Sequence, residues 1–215
     1  MAAGRPVRTR VKVCGITRPE DGAWAGACGA DAIGLVFYPP SPRSVEVEQA
    51  RGVVAALPPF VSVVALFVDP EPEWVRRVLG TVPVDLLQFH GDEPPEACEA
   101  YGRPYMKALS MGEGVDPRGV ARRYRSARAL LLDGFREGVR GGTGTTFDWS
   151  RVPGDLGLPL VLAGGLDPGN VGRAVRTVRP YGVDVSGGVE ASKGVKDPAR
   201  VEAFMREVLG ASASE

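Results

Sequence analysis

Two glycine pairs, each following a short apolar run, are the residues best placed to do chemistry. In LVLAGGLDPGNV, Leu160–Ala163 reads as a buried strand, Gly164 and Gly165 expose bare backbone, and Asp167-Pro168 opens a helix. In VDVSGGVE, the strand Val183–Ser186 runs into Gly187 and Gly188. Glycine lets a bulky anion approach main-chain N–H groups, and a following helix adds positive partial charge. Either pair alone fits a tight turn. Both at the last two strand ends predict a phosphate grip built from Gly164, Gly165, Ser186, Gly187 and Gly188, and hence a phosphorylated small-molecule partner.

Four other strand ends carry reactive side chains. The first, KVCG, places Cys14 beside Gly15, where it can serve as nucleophile or general base, or simply pack as a small hydrophobe. The second leads into GLVFYPPSPRSV, whose prolines stiffen the loop that carries Arg43. A guanidinium there can take a carboxylate bidentately. The fourth, LLQFHGDE, carries His90, the one histidine of the chain. The sixth, ALLLDGF, ends in Asp133. Desolvation at a core edge would raise that carboxyl's pKa and suit it to general-acid work, and a turn cap is the duller use. Gly141, Gly142 and Gly144 then offer a mobile flap ahead of Phe147-Asp148-Trp149.

Positioning these ends requires a regular scaffold. Buried strands are expected at Arg10–Cys14, Ala32–Phe37, Val61–Val68, Val84–Phe89, Pro104–Leu109, Ala129–Asp133, Leu160–Ala163 and Val183–Ser186. Helical spacing marks Arg18–Cys28, Val45–Leu57, Pro72–Leu79, Pro94–Tyr101, Gly169–Val178 and Pro198–Leu209, with a weaker helix over Val115–Tyr124 and a short one near Phe147–Val152. Continuous apolar strands alternating with helices predict a parallel sheet under helices, and eight units favour a (β/α)8 barrel. The rival is an open doubly wound sheet, which lacks its GxGxxG signal here.

Composition fits an α/β protein of one domain spanning 1–215, with flexible ends at 1–9 and 211–215. With 44% hydrophobic and 24% charged residues and a net charge of zero, no nucleic-acid or membrane partner is expected. Cys14, Cys28 and Cys98 lack CxxC spacing, so no disulfide framework or structural zinc is expected and a reducing cytoplasm is the default. The chain is expected to be a monomer or a homodimer.

Read in order, KVCGIT, GLVFYPPSPRSV, LLQFHGDE, LLLDGF with GGTGTTFDW, LAGGL, and DVSGGVE with GVKD resemble the phosphoribosylanthranilate isomerase family. LAGGL alone is weak, but the ordered set covers positions 12 to 197. The resemblance implies a (β/α)8 barrel and an Amadori rearrangement of N-(5′-phosphoribosyl)anthranilate in tryptophan biosynthesis. It also implies Cys14 as general base, Asp133 as general acid and Arg43 facing the anthranilate carboxylate. His90 and Asp184 join the glycine-rich ends as substrate-binding residues.

Two opposed titratable groups suffice for that chemistry, so no metal and no cofactor is expected; it needs a lowered cysteine pKa and a raised aspartate pKa. Lys12 is expected on the other side of its strand, helping Cys14 only indirectly. Gly187, Thr145 and Phe89 stand where the family commonly has serine, lysine and leucine. Two alternatives stay in view. One is another phosphate-binding barrel enzyme such as indoleglycerol phosphate synthase, which would need Lys107 or Lys12 as a catalytic lysine. The other is a phosphosugar-binding module without turnover, which leaves the Cys14–Asp133 pairing unexplained.

Overall fold

The computed structural model describes residues 8–134 and 147–213. Eight parallel strands close into a barrel in sequence order: β1 (Arg10–Cys14), β2 (Ala32–Val36), β3 (Ser62–Phe67), β4 (Leu86–Phe89), β5 (Tyr105–Ser110), β6 (Ala129–Asp133), β7 (Leu160–Leu162) and β8 (Gly182–Val185). Closure, with β1 paired to both β2 and β8, excludes the open sheet. Helices α1 (Pro19–Ala27), α2 (Val47–Ala55), α3 (Pro72–Leu79), α4 (Pro95–Glu99), α5 (Pro117–Arg123), α6 (Val171–Val178) and α7 (Pro198–Ala213) cover the outside. Between β6 and β7 the described residues hold only a 3-10 turn, Trp149–Arg151. None of the described helices is long and apolar enough to cross a membrane.

Proline sets where helices begin. Pro19, Pro72, Pro95 and Pro117 occupy the first turns of α1, α3, α4 and α5, where the missing N–H costs nothing. Alternation along each strand then divides the side chains between two cores. Val11, Val13, Ile33, Leu35, Val63, Ala65 and Leu87 face outward into the layer under the helices. An aromatic row runs through that layer: Phe37 stacks on Phe67 at 5.6 Å, Phe67 meets Phe89 at 6.2 Å, and Phe89 meets Tyr105 at 6.1 Å. Phe89 thus fills a packing position and points away from the barrel axis. Inside the barrel, Val64, Met106, Ala108, Ala129, Leu131 and Ala163 form a smaller apolar plug.

Element ends differ from the expected ones by a residue or two, with three larger departures. The last helix runs to Ala213 instead of Leu209. Ala211 is buried, and Ser212 Oγ accepts from Thr9 N at 3.2 Å, tying this end to the lead into β1. Helix α6 starts at Val171, two residues inside the expected Gly169–Val178 and well past the Asp167-Pro168 opening. Asp167 and Asn170 close a turn first, with Asn170 Oδ1 accepting from Asp167 N at 3.0 Å. Beyond β8 lie a 3-10 turn (Gly187–Val189) and an unforeseen two-stranded hairpin, β9 (Glu190–Ser192) and β10 (Val195–Lys196). The expected flap at Gly141, Gly142 and Gly144, together with Thr145, lies outside the described residues, as do residues 1–7, Ser214 and Glu215.

Candidate active site

All ten residues singled out from the sequence line one cleft at the C-terminal mouth of the barrel: Cys14, Arg43, His90, Asp133, Gly164, Gly165, Asp184, Ser186, Gly187 and Gly188. Strands β1 and β6 end inside it. They bring Cys14 and Asp133 to the same cavity, and both side chains are almost fully buried. Cys14 belongs to an apolar wall with Val36, Leu66, Val68 and Tyr38.

The polar wall is built from the ends of β7 and β8, the two strands that lie between β6 and β1 in the closed barrel. Gly164, at φ 83, lies so close to β6 that a Cβ there would sit 2.2 Å from Gly134 N. A Cβ on Gly188 would meet Leu166 O at 2.0 Å. Close approach of backbone to backbone therefore requires glycine at both positions. The N–H groups of Gly164, Gly165, Gly187 and Gly188 donate to no acceptor among the described residues. Ser186 Oγ is buried without a partner beside them. Together these groups form a rim of donors suited to an anion.

Asp133 accepts from Gly134 N at 2.8 Å through Oδ1, and Oδ2 lies 3.3 Å from His90 Nε2. Gln88, fully buried one layer below, lies 3.3 Å from His90 Nδ1 through its Nε2, and its Oε1 has no partner. His90 therefore bonds to Gln88 and points its Nε2, buried without a hydrogen-bond partner, toward the carboxyl.

Arg43 is not free. Its Nε and Nη2 donate to Glu190 Oε1 and Oε2, each at 2.7 Å, and Lys196 Nζ donates to the same Oε1 at 3.0 Å. Burial works against the Glu190 charge, but Arg43 and Lys196 outweigh it and hold the carboxylate below its usual range. Burial lowers the pKa of Lys196, with Glu190 opposing the shift. The hairpin thus braces the arginine at the rim.

Two expectations need correcting at Cys14. Lys12 lies on the same face of β1 as Cys14, because residues two apart on a strand share a side. A Cβ at Gly34 would meet Cys14 Sγ at 2.7 Å and Lys12 Cε at 3.1 Å, so the two side chains converge over that glycine. The Cys14 pKa is raised, not lowered. Burial dominates, Lys12 pulls it back and Asp184 adds to the rise.

Sequence reasoning missed Lys12, Gln88, Glu190 and Lys196 as site residues. Strand alternation carried a signal for Lys12 and for Gln88, two residues before His90. Glu190 and Lys196 sit inside quoted motifs, but the hairpin that folds them back had no local signature. Lys107 points out of the barrel, where its Nζ donates to Glu93 Oε2 at 2.9 Å and Gly91 O at 2.5 Å. Lys12 pairs with Asp184. Neither is a free amine at the mouth, as a lysine-dependent lyase would need.

Comparison with known proteins gives one consistent result. Residues 11–207 match the family model described as N-(5′-phosphoribosyl)anthranilate (PRA) isomerase. An N-(5′-phosphoribosyl)anthranilate isomerase of Pseudomonas aeruginosa is 62% identical over 199 residues, covering 93% of this chain and 94% of that protein. The solved phosphoribosyl anthranilate isomerase of Thermotoga maritima superposes with a TM-score of 0.86 at 41% identity, covering 94% and 99% of the two chains. Another isomerase structure, in complex with reduced 1-(o-carboxyphenylamino)-1-deoxyribulose 5-phosphate, has a TM-score of 0.83 at 40% identity, with 94% and 99% covered.

Proposed function

This chain belongs to the N-(5′-phosphoribosyl)anthranilate isomerase family, and we propose that it works with Cys14 as general base and Asp133 as general acid. It catalyses the aldose–ketose (Amadori) rearrangement of N-(5′-phosphoribosyl)anthranilate to 1-(2-carboxyphenylamino)-1-deoxyribulose 5-phosphate in tryptophan biosynthesis. Protonated Asp133 donates to the ribose ring oxygen, opening the furanose to a Schiff base with the anthranilate nitrogen. The Cys14 thiolate removes the proton on ribose C2, leaving an enolamine that tautomerises to the aminoketose. Each group need only move one proton, the work of general acid–base catalysis.

The observation that carries this reading is the cleft itself. A thiol and a carboxyl buried on separate strand ends line one cavity, between an apolar wall and a rim of bare N–H groups. The apolar wall suits the anthranilate ring, and Arg43 at its edge suits the ring's carboxylate. The backbone of Gly164, Gly165, Gly187 and Gly188, with the Ser186 hydroxyl, suits the phosphate. His90 and Asp184, which line the cleft between these two walls, suit the sugar. A reducing cytoplasm belongs to the same reading, supported by three unpaired cysteines.

Cys14→Ser and Asp133→Asn test the assignment, with turnover followed as loss of substrate fluorescence. Each should cost about 10²–10⁴ in rate. Near-full turnover in either variant removes that residue from its role.

A further inference from the structure

A buried ion pair lies at the floor of the cleft, and the reaction as assigned leaves its lysine without a task. Lys12 Nζ sits 2.9 Å from Asp184 Oδ1, and the two residues are register partners across β1 and β8. Both side chains are below a tenth exposed. The neighbouring barrel interior is an apolar plug, the usual filling of such barrels. Replacing a buried ion pair by well-packed apolar residues is often neutral or stabilising, so stability alone gives no reason for charge at this depth.

We propose that this pair sets the ionisation of Cys14, with Lys12 as a positioning residue that favours the thiolate and Asp184 as its counterweight. The inference rests on Cys14 being the base. Lys12 shares the inward face of β1 with Cys14, and bare Gly34 on β2 leaves the space into which both side chains lean. Glycine weakens a strand interior and commonly marks such a close approach. Cys14 and Asp184 line the cleft, whereas Lys12 does not. The ammonium therefore acts on the reaction through its neighbours, Cys14 and Asp184, and not by direct contact.

Asp184 does two things at once. It holds Lys12 in place and, being negative, opposes the thiolate. The other charges bearing on Cys14 are Lys196 and Arg43, both tied to Glu190 at the rim. Of these cations, Lys12 is the one whose stem converges with the Cys14 side chain over Gly34.

The two charges have opposite signs at one thiol, so removing each should move it in opposite directions. The test is the pH dependence of iodoacetamide alkylation at Cys14 in ligand-free protein, resolved by peptide mass spectrometry. Cys28 and Cys98 in the same chain serve as references, Cys98 being pushed up to about 12 by its burial. Lys12→Met should raise the Cys14 midpoint and Asp184→Asn should lower it, each by about 1–3 pH units, as for an opposite or like charge a few ångströms away. The double variant should fall between them.

The rising limb of kcat/KM against pH should follow the same order in every variant that turns over. If the unpaired Asp184 unfolds Lys12→Met, the double variant against Asp184→Asn still isolates Lys12, and its midpoint must lie higher. Single variants that shift the same way, or a Cys14 midpoint that stays put, overturn the proposal and leave the pair a packing feature. If Cys14→Ser turns over normally, the base assignment fails while the alkylation order still stands. A dead Cys14→Ser with a flat alkylation order sinks this inference alone.

Discussion

Replacing Glu190 with glutamine keeps the side chain's size, removes its charge, and strikes Arg43. Glu190 Oε1 accepts from both Arg43 Nε and Lys196 Nζ, while Oε2 accepts only from Arg43 Nη2. A glutamine amide has one oxygen, best spent on the position that serves two donors. Its NH2 then faces Nη2 with donor against donor, and Arg43 keeps one anchor of two. Hydrogen bonds to charged groups contribute about 1.5–3 kcal/mol each. The Arg43 and Glu190 side chains are 14% and 6% exposed, so solvent screening takes little from that figure.

Losing one bond and weakening the other to a neutral acceptor costs about 2–4 kcal/mol. That energy splits between folding and binding. If all of it appeared as stability, Tm would fall by about 4–16 °C for a chain of this size. If all of it appeared instead at the substrate carboxylate that Arg43 is held ready for, kcat/KM would drop about 30–700-fold, at 1.4 kcal/mol per tenfold. The decisive comparison is a double-mutant cycle. In an Arg43→Ala background, Glu190→Gln should cost almost nothing further in kcat/KM, because the group it orients is gone. Fully additive losses would falsify the claim that Glu190 works through Arg43, and a single variant with unchanged kcat/KM and Tm refutes the brace itself.

Gly164→Ala puts a methyl 2.2 Å from Gly134 N on a backbone at φ 83, so it should destabilise by more than about 1 kcal/mol and abolish protection by inorganic phosphate in thermal unfolding. Unchanged phosphate protection would move the anion site elsewhere. Glu190 also makes a signed pH prediction. Its folded pKa lies below the ordinary 4.5, so its contribution is present above that pH and drains as pH falls through the lower folded value. Urea midpoints of Glu190→Gln should therefore approach those of the parent on acidification, and a constant gap refutes this. Lys107→Met strands Glu93, which also accepts from the N–H groups of Asp69 and Gly91, and should cost about 3–5 kcal/mol of stability. Turnover per folded molecule should survive, since Lys107 points away from the cleft; its complete loss would revive a lysine-dependent mechanism.

How far the sequence could be read depended on whether a signal was local. Cys14, His90 and Asp133 each close an apolar run, so their place at the mouth followed from strand length alone. Gly164 and Gly188 announced a close approach through their residue type, and contacts below 3 Å are why nothing larger fits. Glu190 and Lys196 offered no such cue. Their role depends on a hairpin that doubles back over Arg43, 147 residues away from Glu190 in the chain. Lys12 was legible and was misread, because period-two alternation puts it with Cys14. The rise in the Cys14 pKa could not be read at all, since it comes from how deep the thiol sits and not from which residues flank it.

These successes and failures follow the division of labour within the barrel. Outward strand positions carry the adhesive core, where Phe37, Phe67, Phe89 and Tyr105 pack across successive strands under the helices. Burial there is additive and forgiving, so its pattern survives in sequence as plain hydrophobicity. Inward positions are few, and toward the mouth they turn polar: Lys12, Gln88, His90, Asp133 and Asp184 replace the usual branched aliphatics. A polar side chain at that depth is costly unless a partner satisfies it, and the partner comes from a strand remote in sequence, as Asp184 does for Lys12. Charge inside the barrel is therefore evidence of chemistry, and its wiring is the part that only three dimensions reveal.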